Sequence, residues 1–157
     1  MSDLTEISAL IHSYAILLDQ SDMDAVSALF EHATWRSEPG DTVLRGSAEV
    51  RPVYEQLKVP EGGPRTKHLL ANLTVEVEPD ASTASAHCYW TVLQNVCAGE
   101  PITMILSGQY TDKFDEVDGK RRFTDRLITT DLTGDLSAQG SLRDRRALGR
   151  GPKFRNS

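Results

Sequence analysis

Apolar residues recur at helical spacing near the start of the chain. Ile7, Leu10, Ile11, Tyr14, Leu17 and Leu18 fall on one face and predict an amphipathic helix. Asp3 followed by Glu6 has the form of a capping box at its beginning. A polar break over 19–22 ends it, and Asp22 is the expected N-cap of a second, short helix over 23–30 with Met23, Val26, Leu29 and Phe30 as its stripe. The stretch 33–37 reads as a brief strand, Glu38, Pro39, Gly40 and Asp41 as a turn, and 42–45 as a hairpin partner. Gly46 and Ser47 open a third helix over 48–57, with Pro52 expected near its first turn, where proline costs little. Two Pro and two Gly make 58–64 a surface loop.

Beyond that loop the period falls from helical to two. Over 67–77, Leu69, Ala71, Leu73, Val75 and Val77 share one face, and His68, Leu70, Asn72 and Thr74 share the other. The stretch 82–96 reads as one long strand or two joined by a bulge, and 102–114 as another. Asp118 and Gly119 mark a tight hairpin into a last strand over 121–132. Helices first and an antiparallel meander second define an α+β domain. The strands are long for a domain this size, and several carry polar residues opposite an apolar face. Both features predict a strongly curved sheet wrapping a cavity, with Gly108 as a bend point.

The 157 residues fit one domain, expected over 1–137, followed by a basic tail over 138–157 that is expected to be flexible. The net charge of −6 is unevenly spread: residues 143–157 hold six basic side chains against one acid, Asp144, so the body is more acidic than the total. An acidic body argues against nucleic acid as a partner. Neither a long apolar run nor a leader pattern is present, which points away from a membrane, and Cys88 and Cys97 fit neither a disulfide framework nor a zinc spacing. A reduced, cytoplasmic protein is expected. Without a Gly-rich nucleotide loop or a clustered His/Cys set, no cofactor and no metal are expected.

The candidate chemistry lies where the first helix ends and the first long strand begins. Asp19 follows the apolar face that carries Tyr14, and the lone His68 opens the strand-like run. Histidine titrates near neutrality and can remove or deliver a proton, and a carboxylate on its second ring nitrogen fixes its tautomer. A tyrosine hydroxyl can donate to an oxygen on which negative charge develops.

The succession Tyr14-Ala-x-x-x-Asp19, Asp24-Ala-x-x-x-Leu29-Phe30, the Gly46 helix start, Lys67-His68-x-x-x-Asn72, Ser107-Gly-x-Tyr-x-Asp112 and Asp125-Arg-x-x-x-x-Asp131 resembles the SnoaL-like branch of the NTF2-like superfamily, which includes scytalone dehydratase and bile-acid dehydratase. The resemblance spans roughly 4–136. It implies a curved antiparallel sheet closed by three helices from the N-terminal half around a conical, mostly apolar cavity. It also implies catalytic roles for Tyr14, Asp19 and His68, with Arg126 matching an arginine of the last strand. Where bile-acid dehydratase-like members carry a second acid, this chain offers His87, Tyr89 or Thr91. Asn72, Arg126, Tyr89, Trp35 and Tyr54 are the candidates for substrate contact, with Asn72 able to orient His68 and Arg126 able to pair with Asp112 or Asp131 instead. The function implied is a cofactor-independent dehydratase-type lyase or isomerase acting on a hydrophobic cyclic, steroid-like or polyketide-like small molecule. The alternatives are a polyketide cyclase and a non-catalytic binding or oligomerisation module. A homodimer or homotrimer is expected, because the convex sheet face of such domains is usually covered by another subunit.

Overall fold

The computed structural model describes residues 2–57, 59, 65–95, 97 and 99–137, so the expected tail over 138–157 lies outside the described residues. Three helices and six strands follow one another as α1 (Asp3–Asp19), α2 (Met23–Ala28), β1 (Thr34–Glu38), β2 (Thr42–Arg45), α3 (Gly46–Glu55), β3 (Thr66–Val77), β4 (Thr83–Gln94), β5 (Thr103–Val117) and β6 (Lys120–Thr133). The strands form one curved open sheet in the order β2-β1-β6-β5-β4-β3. Strands β3 to β6 are the expected antiparallel meander, and the β1–β2 hairpin joins it through a parallel pairing of β1 with β6.

Helix α1 starts one residue earlier than the capping-box reading. Ser2 is the N-cap and accepts from the Thr5 amide, which frees Asp3 and Glu6 for the sheet. Asp3 accepts from Arg121 Nε at 3.1 Å and Glu6 from the Arg121 backbone amide at 2.8 Å, tying the helix start to the beginning of β6. Asp22 caps α2 as expected, by accepting from the Ala25 amide at 3.0 Å. Pro52 sits well inside α3 rather than in its first turn. Its missing N–H leaves the Ala48 carbonyl without a helical partner, and Ala48 is exposed, so water can satisfy it.

Curvature comes from register shifts. In β3 the pairing jumps from Ala71↔Tyr89 to Thr74↔His87, so Asn72 and Leu73 together oppose one residue of β4. Asn72 adopts φ 55°, a left-handed conformation that asparagine tolerates better than most residues. Strict alternation therefore fails at this point. Thr66, His68 and Leu70 face inward before the bulge, Leu73 and Val75 after it, and Leu69 and Ala71 are exposed. Further shifts leave Ile105 of β5 and residues 124 and 131 of β6 without direct partners. The hairpin at Asp118 and Gly119 is as expected, with φ of 53° and 72°.

Gly108 lies at one of these shifts, and the reason is space. A Cβ there would stand 1.8 Å from the Thr129 carbonyl oxygen and 2.9 Å from Trp90 Cζ2. Neither β6 backbone nor a stacked indole can yield cheaply. Gly108→Ala is expected to destabilise the fold by about 3 kcal/mol, read from chemical denaturation.

The closed end of the cone is packed by Ile7, Ile11, Val26, Phe30, Phe114 and Phe123, all buried. Each such side chain contributes roughly 1.5–3 kcal/mol of burial. Above this floor the helices and sheet diverge, and the interior opens into a cavity.

Candidate functional site

The cavity has a volume of about 110 Å³ and opens to solvent on one side. Its wall is mostly apolar, from Leu18, Met23, Val92, Ile105 and Ile128 among others, with polar groups at a few points.

His68 is one of those points. Helix α1 ends at Asp19, and this termination is what lets its carboxylate reach a residue 49 positions further along the chain. Asp19 Oδ1 lies 2.7 Å from His68 Nδ1, and Oδ2 accepts from the His68 backbone amide at 2.9 Å. One carboxylate thus fixes both the strand and the ring. Burial alone would raise the Asp19 pKa, but the two hydrogen bonds from His68, together with the charges of His68 and Lys67, outweigh it and hold the carboxyl below its ordinary value. An ionised Asp19 can only accept, so Nδ1 carries the proton and Nε2 is the nitrogen the ring offers to a ligand. Asp19 itself does not line the cavity; it acts through His68.

A second polar group hangs from the helices. Tyr14, at the centre of the α1 face, lines the cavity and lies 2.8 Å, hydroxyl to hydroxyl, from Tyr54 of α3. Trp35 Nε1 of β1 donates to the Tyr54 hydroxyl at 2.8 Å, so Tyr54 can pass its own hydrogen to Tyr14. Burial raises the pKa of Tyr14, while Arg126 and hydrogen bonds from Tyr54 and Tyr110 pull it back; Tyr54 and Tyr110 are raised well above the ordinary value, again chiefly by burial. When Tyr54 donates to it, the Tyr14 hydroxyl hydrogen can point at a ligand. The indole–phenol–phenol chain polarises that donor.

Beneath the tyrosines lies a buried ion pair. Arg126 donates to Asp112 through Nε at 2.7 Å and Nη2 at 2.6 Å, and its guanidinium carbon sits 4.3 Å from the ring centres of both Tyr14 and Tyr110. Arg126 is fully buried and does not line the cavity. Of the two expectations for Arg126, the ion pair with Asp112 is the one observed.

Trp35 and Tyr54 line the cavity as expected, but Asn72 and Tyr89 do not. Asn72 is the exposed bulge residue, and Tyr89 is 46% exposed on the outer face of the sheet. His87 shares that outer face and binds Gln109, which in turn donates to Asp131. The inward positions of β4 are the even-numbered ones, so the region where the resemblance implied a second acid presents Cys88 and Trp90. Burial pushes the Cys88 thiol up to about 11.

Tyr110, Gln94, Arg65 and Thr66 were not singled out for the site by the sequence. The inward phase of β4 and β5, set by Trp90 and Gly108, would have indicated Gln94 and Tyr110. Nothing in the Pro/Gly-rich surroundings of Arg65 indicates a cavity. Among the described residues no cluster of three or more His, Cys, Asp or Glu side chains is placed to hold a metal ion, and no helix is long and apolar enough to cross a membrane.

The profile of the SnoaL-like domain matches residues 1–127. No curated protein matches in sequence. Solved structures share the architecture. An NTF2-like protein with a cystatin-like fold from Novosphingobium aromaticivorans superposes with a TM-score of 0.67 at 24% identity, covering 87% of this chain and 86% of that one. A proposed scytalone dehydratase from the same organism gives 0.69 at 21% identity over 99% and 95% of the two chains. The β subunit of a proposed aromatic-ring-hydroxylating dioxygenase, also from that organism, gives 0.65 at 17% over 83% and 90%. At these identities the likeness is one of fold.

Proposed function

The chain belongs to the SnoaL-like domain family, and from that premise we propose that it is a cofactor-independent lyase or isomerase of the dehydratase type acting on a hydrophobic cyclic small molecule. The observation that carries the reading is the Asp19–His68 contact, with the ring on the wall of an apolar cavity. In a β-hydroxy ketone, Nε2 of His68 removes the proton α to the carbonyl, breaking the C–H bond and forming an enolate. Tyr14 donates to the enolate oxygen. The imidazolium, stabilised by Asp19, then returns its proton to the leaving hydroxyl; the C–O bond breaks, the C=C bond forms and water departs. Return of the same proton to a different carbon would be an isomerisation, and ring closure from the enolate would be a cyclase reaction.

A panel of cyclic β-hydroxy ketones, followed by the ultraviolet absorbance of the enone product, tests this. Turnover by the wild-type protein that His68→Ala abolishes supports it. Turnover that both His68→Ala and Asp19→Asn leave intact refutes it. A protein that binds such compounds tightly without converting them would instead be a binding module.

For assembly, we propose a homodimer or homotrimer formed through the outer sheet face. Leu69, Thr91, Ser107 and Leu132 form one register row across four strands, and Leu69 and Leu132 are more than half exposed. Light scattering is expected to give two or three times the 17.3 kDa chain mass; a monomer would refute it. The free thiols Cys88 and Cys97 suit a cytoplasmic setting.

A further inference from the structure

We propose that the cavity contains an anion subsite, built by Arg65, Gln94 and Thr66, that takes the carboxylate of an otherwise apolar ligand. The inference rests on the reading of the cavity as a small-molecule site and adds the chemical class of what enters it.

Arg65 lines the cavity, and among the described residues no aspartate or glutamate does. Among the described residues its guanidinium has no carboxylate partner; its side-chain contact is Nη1 donating to Asn95 Oδ1 at 3.3 Å. The backbone beneath is fixed, with the Asn95 amide donating to the Arg65 carbonyl at 3.0 Å. Gln94 is the independent observation. Its side chain lines the cavity and is only 6% exposed. A primary amide at the wall of a largely apolar cavity offers both a donor and an acceptor to a ligand group. Thr66 is the register partner of Gln94 and lines the same wall, so an amide, a hydroxyl and a guanidinium converge on one end of the cavity.

The donor set selects for charge. A carbonyl or hydroxyl would satisfy Gln94 and Thr66 alone, whereas Arg65 adds a net positive charge and a planar fork matched to two oxygens. The subsite is also in register with the chemistry. Thr66 and His68 stand two residues apart on the same face of β3, about 7 Å from each other. A carboxylate held at Thr66 leaves the carbon skeleton running past Nε2 of His68, with the reacting C–H a few bonds from the acid. The ligand class is therefore a hydrophobic carboxylic acid rather than a neutral lipid or polyketide.

Binding of 2-naphthoate and methyl 2-naphthoate, measured by titration calorimetry on the full chain, tests the subsite without reference to turnover. The wild-type protein is expected to bind the acid at least 10-fold more tightly than the ester, with the difference shrinking as sodium chloride is raised. Arg65→Gln should weaken the acid by roughly 10- to 100-fold, and Gln94→Leu by roughly 3- to 10-fold, with the ester unaffected by either. Arg65→Lys should keep part of the preference. Equal binding of acid and ester by the wild type, or an Arg65→Gln variant that weakens both alike, would overturn the proposal. His68→Ala should leave the preference for the acid intact. A wild-type protein that prefers the acid but turns over no β-hydroxy ketone would sink the acid/base reading alone, and one whose turnover depends on His68 but which binds acid and ester equally would sink the subsite alone.

Discussion

His68→Ala is expected to lower turnover by roughly 10²- to 10⁴-fold, the range set by removal of a positioned acid/base group, while binding of an unreactive ligand changes little. Asp19→Asn should cost nearly as much, although it keeps the size of the side chain. The amide oxygen can still accept from the His68 backbone, but an amide no longer enforces the Nδ1–H tautomer or stabilises the imidazolium. The double variant should fall little below either single one, because the two residues act as a unit. Additive losses would show that they do not. The pH dependence of stability separates the two roles of Asp19. Its folded-state pKa is depressed, so its contribution is complete above the ordinary aspartate pKa and is lost as pH falls through the lower folded value. Asp19→Asn should therefore destabilise the protein at neutral pH and lose that penalty in acid, as urea titrations at several pH values would show.

The largest effect on stability should come from the ion pair below the tyrosines. Arg126→Met is expected to destabilise the fold by roughly 3–5 kcal/mol, because Asp112 would remain buried with nothing to offset its charge. Burial already pushes the Asp112 pKa up despite Arg126. A raised folded-state pKa means that the cost is absent below the ordinary carboxylate range and grows as pH rises, so the variant should look closest to wild type in acid. Adding Asp112→Leu to Arg126→Met should restore most of the lost stability. If the double variant were as unstable as the single one, packing of the guanidinium against Tyr14 and Tyr110, rather than an unpaired charge, would be the main loss. The cation also lies against the proposed oxyanion donor, so the double variant, even if stable, should be slower.

Much of this arrangement was legible in the sequence because it depends on local signals. The Asp22 cap, the Asp118–Gly119 hairpin and Gly108 at a bend each follow from what a single residue can do with its backbone. Tyr14, Asp19 and His68 were legible as a set only through the order of several weak motifs, since no local rule joins positions 49 apart. The assignments that failed have separate causes. Asn72 was placed by a period of two carried through a strand whose register shifts, and a bulge leaves no mark in an alternating pattern. Tyr89 was placed by the resemblance alone, and the unbroken alternation of β4 turns it to the outer face. For Arg126 both a cavity contact and an ion pair with Asp112 or Asp131 stood open, because position on a strand says nothing about whether an acid on the next strand claims it first; the ion pair with Asp112 is the one formed. Gln94 and Arg65 border loops, where composition predicts solvent.

Because Asn72 adds one residue against β4, β3 consists of two half-strands of opposite parity, and both turn a full set of side chains to the interior. Deleting Asn72 would merge them into one frame. Either Leu73 and Val75 would leave the core, or Thr66, His68 and Leu70 would swing out to the surface and leave Asp19 without its ring. The aim of the reactive imidazole is thus held by an odd count of residues as well as by the carboxylate it touches, and a length change of one in β3 should silence the site with every named side chain still present.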